Sequence, residues 1–163
     1  MTQGKPDPIR PTDDEARVLA RSLLDNARFA ALGVLDPDTG APMVTRIALA
    51  RGPDGAPLTL ISDLSAHTRA LRADPRASLL VGEPGPRGDP LTHPRLTLQG
   101  RAAFVDRAGP DHGGLRRTYL DQNPKAQLYI DFADFTLVRL DIAEAHLNGG
   151  FGKAYRLTAA DLS

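Results

Sequence analysis

Met43-Val44-Thr45-Arg46-Ile47-Ala48-Leu49-Ala50-Arg51-Gly52-Pro53-Asp54-Gly55-Ala56-Pro57-Leu58-Thr59-Leu60-Ile61-Ser62 is the stretch on which the fold turns. Met43 to Ala50 reads as a strand and Leu58 to Ser62 as another. Gly52-Pro53-Asp54-Gly55 between them has the chemistry of a tight turn. Strands joined by so short a link are antiparallel, since a parallel crossover needs a dozen or more residues. A βαβ architecture is therefore disfavoured.

The neighbouring segments extend the same pattern. Phe29 to Leu35 reads as a strand ended by the turn formers Asp36-Pro37-Asp38-Thr39-Gly40. Ahead of it, Thr12-Asp13-Asp14-Glu15 resembles a capping box, so a helix is expected from Thr12. Its apolar face would carry Ala16, Leu19, Leu23 and Ala27. Ser65 to Ala73 reads as a short helix that stops before Asp74-Pro75, because the residue preceding proline avoids helical torsions. Ala77 to Gly82 is a further strand. Glu83 to Pro94 carries four prolines and is expected to be a loop, and Arg95 to Asp106 alternates as a strand with two faces. A helix over Pro110 to Gln122 follows, then a helical turn toward Ile130. Phe135 to Asp141 and His146 to Leu157 close the chain as extended segments. These elements predict a mainly β protein with added helices (α+β), an antiparallel barrel. Residues 1–11 are expected to be a flexible N-terminal segment and 12–163 a single domain.

Composition bounds the function. The 163 residues are 41% hydrophobic and 25% charged, as in ordinary globular domains. Twenty basic side chains balance twenty acidic ones, so no net field favours nucleic acid or an anionic membrane. Cysteine is absent, which removes thiolate nucleophiles and cysteine metal sites. The polar N-terminus lacks the pattern of a secretory signal, and the apolar runs are too short to span a bilayer, so a cytoplasmic protein is expected. His67, His93, His112 and His146 are too widely spaced for a compact metal motif, and no metal site is expected. No P-loop or Gly-x-Ser-x-Gly elbow occurs.

Two clusters carry chemistry. Arg46 alternates with Ile47 on an apolar strand, and Arg51 lies at that strand's end with opposite parity, so both reach one ligand if the strand ends or bulges between them. Ser62-Asp63-Leu64-Ser65-Ala66-His67-Thr68-Arg69 runs from strand to helix, with Ser65 as the expected cap. Backbone N–H groups at such a helix start favour an anion, and guanidinium and hydroxyl groups add charge-assisted hydrogen bonds. Each cluster alone could equally be a solvated strand face or a capped surface helix. Their occurrence one strand apart favours a phosphate site.

In these residues the chain resembles the pyridoxamine 5'-phosphate oxidase-like split-barrel family, which binds flavin mononucleotide (FMN). Arg46 and Arg51 look like the family's basic pair on the flavin phosphate. Ser62 and Asp63 match positions near the ring and ribityl chain. Thr68 and Arg69 match the pair that completes the phosphate site, with Thr68 replacing the usual arginine. Gln99 or Arg95, flanking Leu96-Thr97-Leu98 before Gly100-Arg101, would approach the ring, and His67 stands beside the phosphate or flavin edge. Ser-Asp-Leu-Ser-Ala-His-Thr, Asp-Pro-Arg-Ala-Ser-Leu-Leu-Val and Gly-Gly-Phe-Gly-Lys-Ala resemble the haem-utilisation (HugZ-like) branch. The resemblance implies an FMN-dependent oxidoreductase of an unidentified small molecule, a homodimer with flavin at the subunit interface, and no catalytic residue that can be named. Haem binding or degradation, with His146 as a possible holder, and a non-enzymatic flavin module are the alternatives. The absence of tryptophan and of the terminal arginine–histidine stretch disfavours vitamin B6 oxidation.

Overall fold

The turn at Gly52–Gly55 joins antiparallel strands as expected, but the strand before it is interrupted. In the computed structural model, which describes residues 7–163, Pro42–Ala48 forms β3 and Ala50–Arg51 forms β4; β2 (Phe29–Leu35) precedes them and β5 (Pro57–Ser62) follows. Strand β3 pairs with β2 through the Asp36–Gly40 turn, while β4, unlike β3, pairs with β5. Leu49 breaks the run: its N–H donates to Arg28 O at 2.9 Å, and its carbonyl accepts from Asn123 Nδ2 at 3.2 Å. The Thr59 hydroxyl donates to Ala48 O at 2.6 Å, so the break leaves these backbone groups satisfied.

That break closes a barrel. After β5 come α2 (Ala66–Ala73), β6 (Arg76–Val81) and β7 (Arg95–Phe104), then α3 (His112–Gln122) and β8 (Phe135–Asn148). Pairing runs β3–β2–β6–β7–β8–β5–β4, and β4 continues β3. The two extended segments expected near the C-terminus are one 14-residue strand, β8, and a separate β9 (Ala154–Leu157). One end of β8 pairs with β5 and the other with β9, which in turn pairs in parallel with β1 (Ile9–Arg10). The segment expected to be flexible, 1–11, thus supplies a two-residue strand, and residues 1–6 lie outside the described residues. This nine-stranded mixed sheet with few helices is an α+β, mainly β, split barrel. Among the described residues no helix is long and apolar enough to cross a membrane.

Two apolar clusters hold it. Leu32, Val34, Ile47, Leu49, Leu79, Leu96, Leu98 and Val138 fill the first, with α1 (Asp14–Asn26) packing Ala16, Ala20 and Leu24 onto it. Leu58, Leu60, Leu115, Tyr119, Ile130 and Leu137 form the second. Strand β5 is buried on both faces, which is why its sequence is a near-continuous apolar run. Helix α1 is capped by Asp13, whose carboxylate accepts from Ala16 N at 2.8 Å, and not by Thr12. Thr12 instead donates its hydroxyl to Arg156 O at 2.7 Å, tying the chain to β9. A last short helix, α4 (Ala159–Leu162), is closed by a Thr158–Asp161 capping box.

Candidate functional site

The passage from β5 into α2 is the most heavily cross-linked strand-to-helix junction of the candidate residues. Ser62 Oγ donates to Asp134 Oδ2 at 2.7 Å and accepts from Leu64 N at 3.1 Å. Asp63 pairs with Arg72 at 2.9 Å, and that guanidinium lies 4.3 Å over the Phe104 ring. Thr68 is 1% exposed and donates to Ser62 O at 2.6 Å, so its hydroxyl locks the helix onto the strand end. The three hydroxyl and carboxylate groups expected near a cofactor therefore already have protein partners.

His67 and Arg69 sit differently. His67 Nδ1 lies 3.0 Å from Thr45 Oγ1, which brings the first turn of α2 against β3 beside Arg46. Partial burial pushes the His67 imidazole below its ordinary pKa, so at neutral pH the ring is uncharged. Arg69 makes a two-pronged contact with Asp38 in the β2–β3 turn, at 3.0 and 2.8 Å. This pairing holds the Asp38 carboxyl below the usual carboxylate range and pushes the guanidinium up. Ser65 occupies the N-cap position of α2, but its side chain makes no cap hydrogen bond. The helix start thus keeps donors and the positive end of its dipole without a side-chain acceptor. Arg46 is exposed, stacks 5.3 Å over the Phe29 ring, and has no carboxylate in ion-pair distance among the described residues.

Arg51 and Arg95 do not join this group. Arg51 Nη1 donates to Asp25 Oδ1 at 2.8 Å and to Arg21 O at 3.3 Å, and Nη2 donates to Leu162 O. Its backbone N–H and C=O both engage the Gln122 amide at 2.8 Å. Arg51 thereby joins α1, α3 and α4; the break at Leu49 directs it away from Arg46. Arg95 donates to Leu91 O at 2.9 Å and organises the 83–94 loop. His93 does the same from within: Gly85 N donates to Nδ1 at 3.2 Å, so Nε2 carries the proton and donates to Arg87 O at 2.7 Å.

Gln99 belongs to the outer sheet face. Cross-strand pairing aligns Arg46, Ala31, Leu80, Thr97, His146 and Arg156 in one row across β3, β2, β6, β7, β8 and β9. The adjacent row is Val44, Gly33, Ser78, Gln99 and Glu144. In these rows Glu144 accepts from His146 Nε2 at 2.7 Å and from Arg156 Nε at 3.2 Å. Arg46 and Gln99 lie three strands apart, roughly 14 Å along the sheet. Asp38, Thr45, Asp134, Glu144 and Arg156 escaped the sequence reading, which names His146 only as a haem holder. Asp38 carried only a turn signal, and the others gain meaning only through strand register.

Comparison with known proteins places these residues in context. A family model described as Pyridoxamine 5'-phosphate oxidase matches residues 19–149. The chain is 33% identical over 117 residues to the protein named Non-canonical heme oxygenase HOZ, chloroplastic, of Arabidopsis thaliana. That match covers 71% of this chain and 34% of the relative, so the chain spans about a third of the relative's length. A structure described as a heme binding protein from Mycobacterium smegmatis superposes with a TM-score of 0.82 at 30% identity, covering 94% of this chain and 61% of that one. Atu2129 of Agrobacterium tumefaciens str. C58, described as of unknown function, gives a TM-score of 0.79 at 38% identity, covering 97% and 65%. The likeness to the haem-utilisation branch read from the sequence motifs agrees with these relatives.

Proposed function

We propose that this chain, which belongs to the pyridoxamine 5'-phosphate oxidase family, is an FMN-binding flavoprotein that oxidises or reduces a small molecule, working as a homodimer with the flavin between subunits. The observation that carries this is the α2 entry beside β3. The helix start lacks a side-chain cap and rests on Thr45, and Arg46, the next residue of β3, has no carboxylate partner among the described residues; these are the donor types that suit a phosphate dianion. Arg46 and the first turn of α2 would hold the phosphate, with Arg69 turning from Asp38 to join them. Gln99 would meet the edge of the ring, with the ring itself over the row that continues from Arg46: Ala31, Leu80 and Thr97. His67, held neutral, would fix the helix to the strand without adding charge. Ser62, Asp63 and Thr68 shape the junction through their side-chain bonds to Asp134, Arg72 and Ser62 O, and Arg51 and Arg95 brace the elements around it. Bound FMN supplies hydride or single-electron transfer, and this chain supplies its orientation and its electrostatic surroundings.

Haem is the second reading, favoured by the two relatives whose names include heme. His146 is a side chain disposed toward iron, because Glu144 accepts from its Nε2–H and leaves the Nδ1 lone pair free to bind a metal. The row from Arg46 to His146 spans four strand spacings, roughly 19 Å, so a macrocycle centred on His146 lies far from the α2 entry. A flavin module without turnover is the third case.

The test is a visible spectrum of the purified protein before and after incubation with FMN or haemin and removal of the excess. A retained flavin band, lost when Arg46 and Arg69 are both changed to alanine, is expected. Two charge-assisted contacts correspond to about 3 kcal/mol, over a hundredfold in affinity. A folded double variant with unchanged FMN affinity defeats the phosphate assignment. A Soret band that depends on His146 with no retained flavin makes haem the ligand. Oxidation of a reduced nicotinamide by the FMN-loaded protein separates an enzyme from a carrier.

A further inference from the structure

A second cationic feature on the outer face lies away from the α2 entry. Gly33, Ser78 and Gly100 floor a groove of about 570 Å3, and Gln99, Arg76 and Arg101 line it. The volume falls in the range of small-molecule sites, about 300–1,000 Å3. Its floor is low because the residues are small, and at Gly100 small size is obligatory. A Cβ there would lie 2.1 Å from Asp141 O, where the register between β7 and β8 shifts past Ala143.

The charges around the groove are out of balance. Arg76 and Arg101 are direct cross-strand partners on β6 and β7. Like charges in that relation destabilise a sheet pair unless something neutralises them. Arg76 is neutralised by Asp74, with contacts from 2.6 to 3.0 Å. Those bonds hold the Asp74 carboxyl down to about 2, with Arg101 adding a smaller attraction from a distance. The Arg101 guanidinium makes no ion pair or hydrogen bond among the described residues. Asp141, across from it on β8, accepts instead from Arg139 Nη2 at 3.2 Å. An exposed guanidinium left over beside a small-residue trough is a ready fork for a carboxylate.

We infer that this groove binds a flat small-molecule carboxylate, its anionic end on Arg101 and its body over Gly33 and Ser78, with the Gln99 amide at its side. Since Gln99 also borders the proposed flavin ring, such a carboxylate is the substrate class of the proposed oxidoreductase; that assignment rests on the flavin reading, whereas the groove's affinity for the anion does not.

The experiment uses the full chain without added cofactor, labelled with 15N and titrated with phthalate or with uncharged benzamide as probes. Phthalate is expected to shift the Gly33, Ser78 and Gly100 amide signals saturably, and benzamide to leave them in place. Arg101→Gln, on an exposed side chain, should keep the spectrum of the folded protein and weaken phthalate binding about tenfold or more. Its FMN affinity, followed by flavin fluorescence, should match that of the unaltered protein. Absence of a saturable shift, an equal response to benzamide, or undiminished binding in Arg101→Gln overturns the inference. Loss of FMN affinity in that variant also overturns it, by giving the groove to the cofactor itself. A protein that ignores FMN yet binds phthalate through Arg101 defeats the flavin reading and the substrate role, and leaves the carboxylate site standing.

Discussion

At the scale of single residues, Gly100 and Asp38 show how local sterics and local charge shape the outer face. Gly100→Ala would drive a methyl group into the Asp141 carbonyl at a distance no side chain tolerates. Backbone must then move in both β7 and β8, and the expected loss is about 3 kcal/mol or more, read as a lowered urea midpoint with an unchanged slope. Asp38 acts in the opposite sense. Its carboxylate occupies the fork of Arg69 that the flavin phosphate is proposed to take. Asp38→Ala is therefore expected to raise FMN affinity by up to roughly fivefold, the equivalent of one exposed ion pair. Fluorescence titration checks this, and an unchanged or weaker affinity removes Arg69 from the phosphate site.

At the scale of elements, α2 is the part whose attachment depends on protonation. The His67–Thr45 contact presses its first turn on β3, and burial depresses the folded-state pKa of His67 below its ordinary 6.5. Below pH 6.5 the unfolded chain takes up the proton first, so it binds more protons than the folded protein and stability falls as the pH falls. The loss runs from the unfolded value down to the folded one and then levels. His67→Gln, which keeps a hydrogen-bonding group toward Thr45, should flatten this slope in melting temperatures measured between about pH 5 and 7.5. A slope identical to that of the unaltered protein would assign it to other groups. The boundaries of β5 and α2 were legible because an apolar run ends at Ser62 and a proline follows Asp74. The fate of Arg51 was not. Strand parity could place it with or against Arg46, and the deciding break at Leu49 depends on hydrogen bonds from Arg28 and Asn123, distant in sequence. Residues 135–148 were likewise read as two pieces, because β8 changes partners midway from β5 to β9 and its burial pattern changes with them. Helix α4 carried a capping signal in Thr158 and Asp161, hidden by its four-residue length.

At the scale of the whole molecule, the barrel leaves one face of its sheet unusually apolar for water. Val44 is 70% exposed, Leu80 45% and Phe29 41%, and pairing of β3, β2 and β6 gathers all three on the outer side. The same face carries Arg46, Gln99 and the carboxylate groove, so a second copy packed there would bury the apolar residues and wall in the proposed flavin. Contiguous exposed apolar surface of this kind marks an interaction site more often than it marks bare surface. A stable homodimer buries about 1,600 Å2 in total, of which these side chains would form the dry centre. Val44→Glu combined with Leu80→Glu puts like charges across a two-fold axis without entering either core cluster. Sedimentation velocity is expected to show a dimer for the unaltered protein and a folded monomer for the variant. If flavin is shared between subunits, FMN affinity falls with dimerisation even though Arg46 and α2 are untouched. A monomeric unaltered protein that still holds FMN would mean that one chain completes the site alone, and the apolar face would then need a different partner.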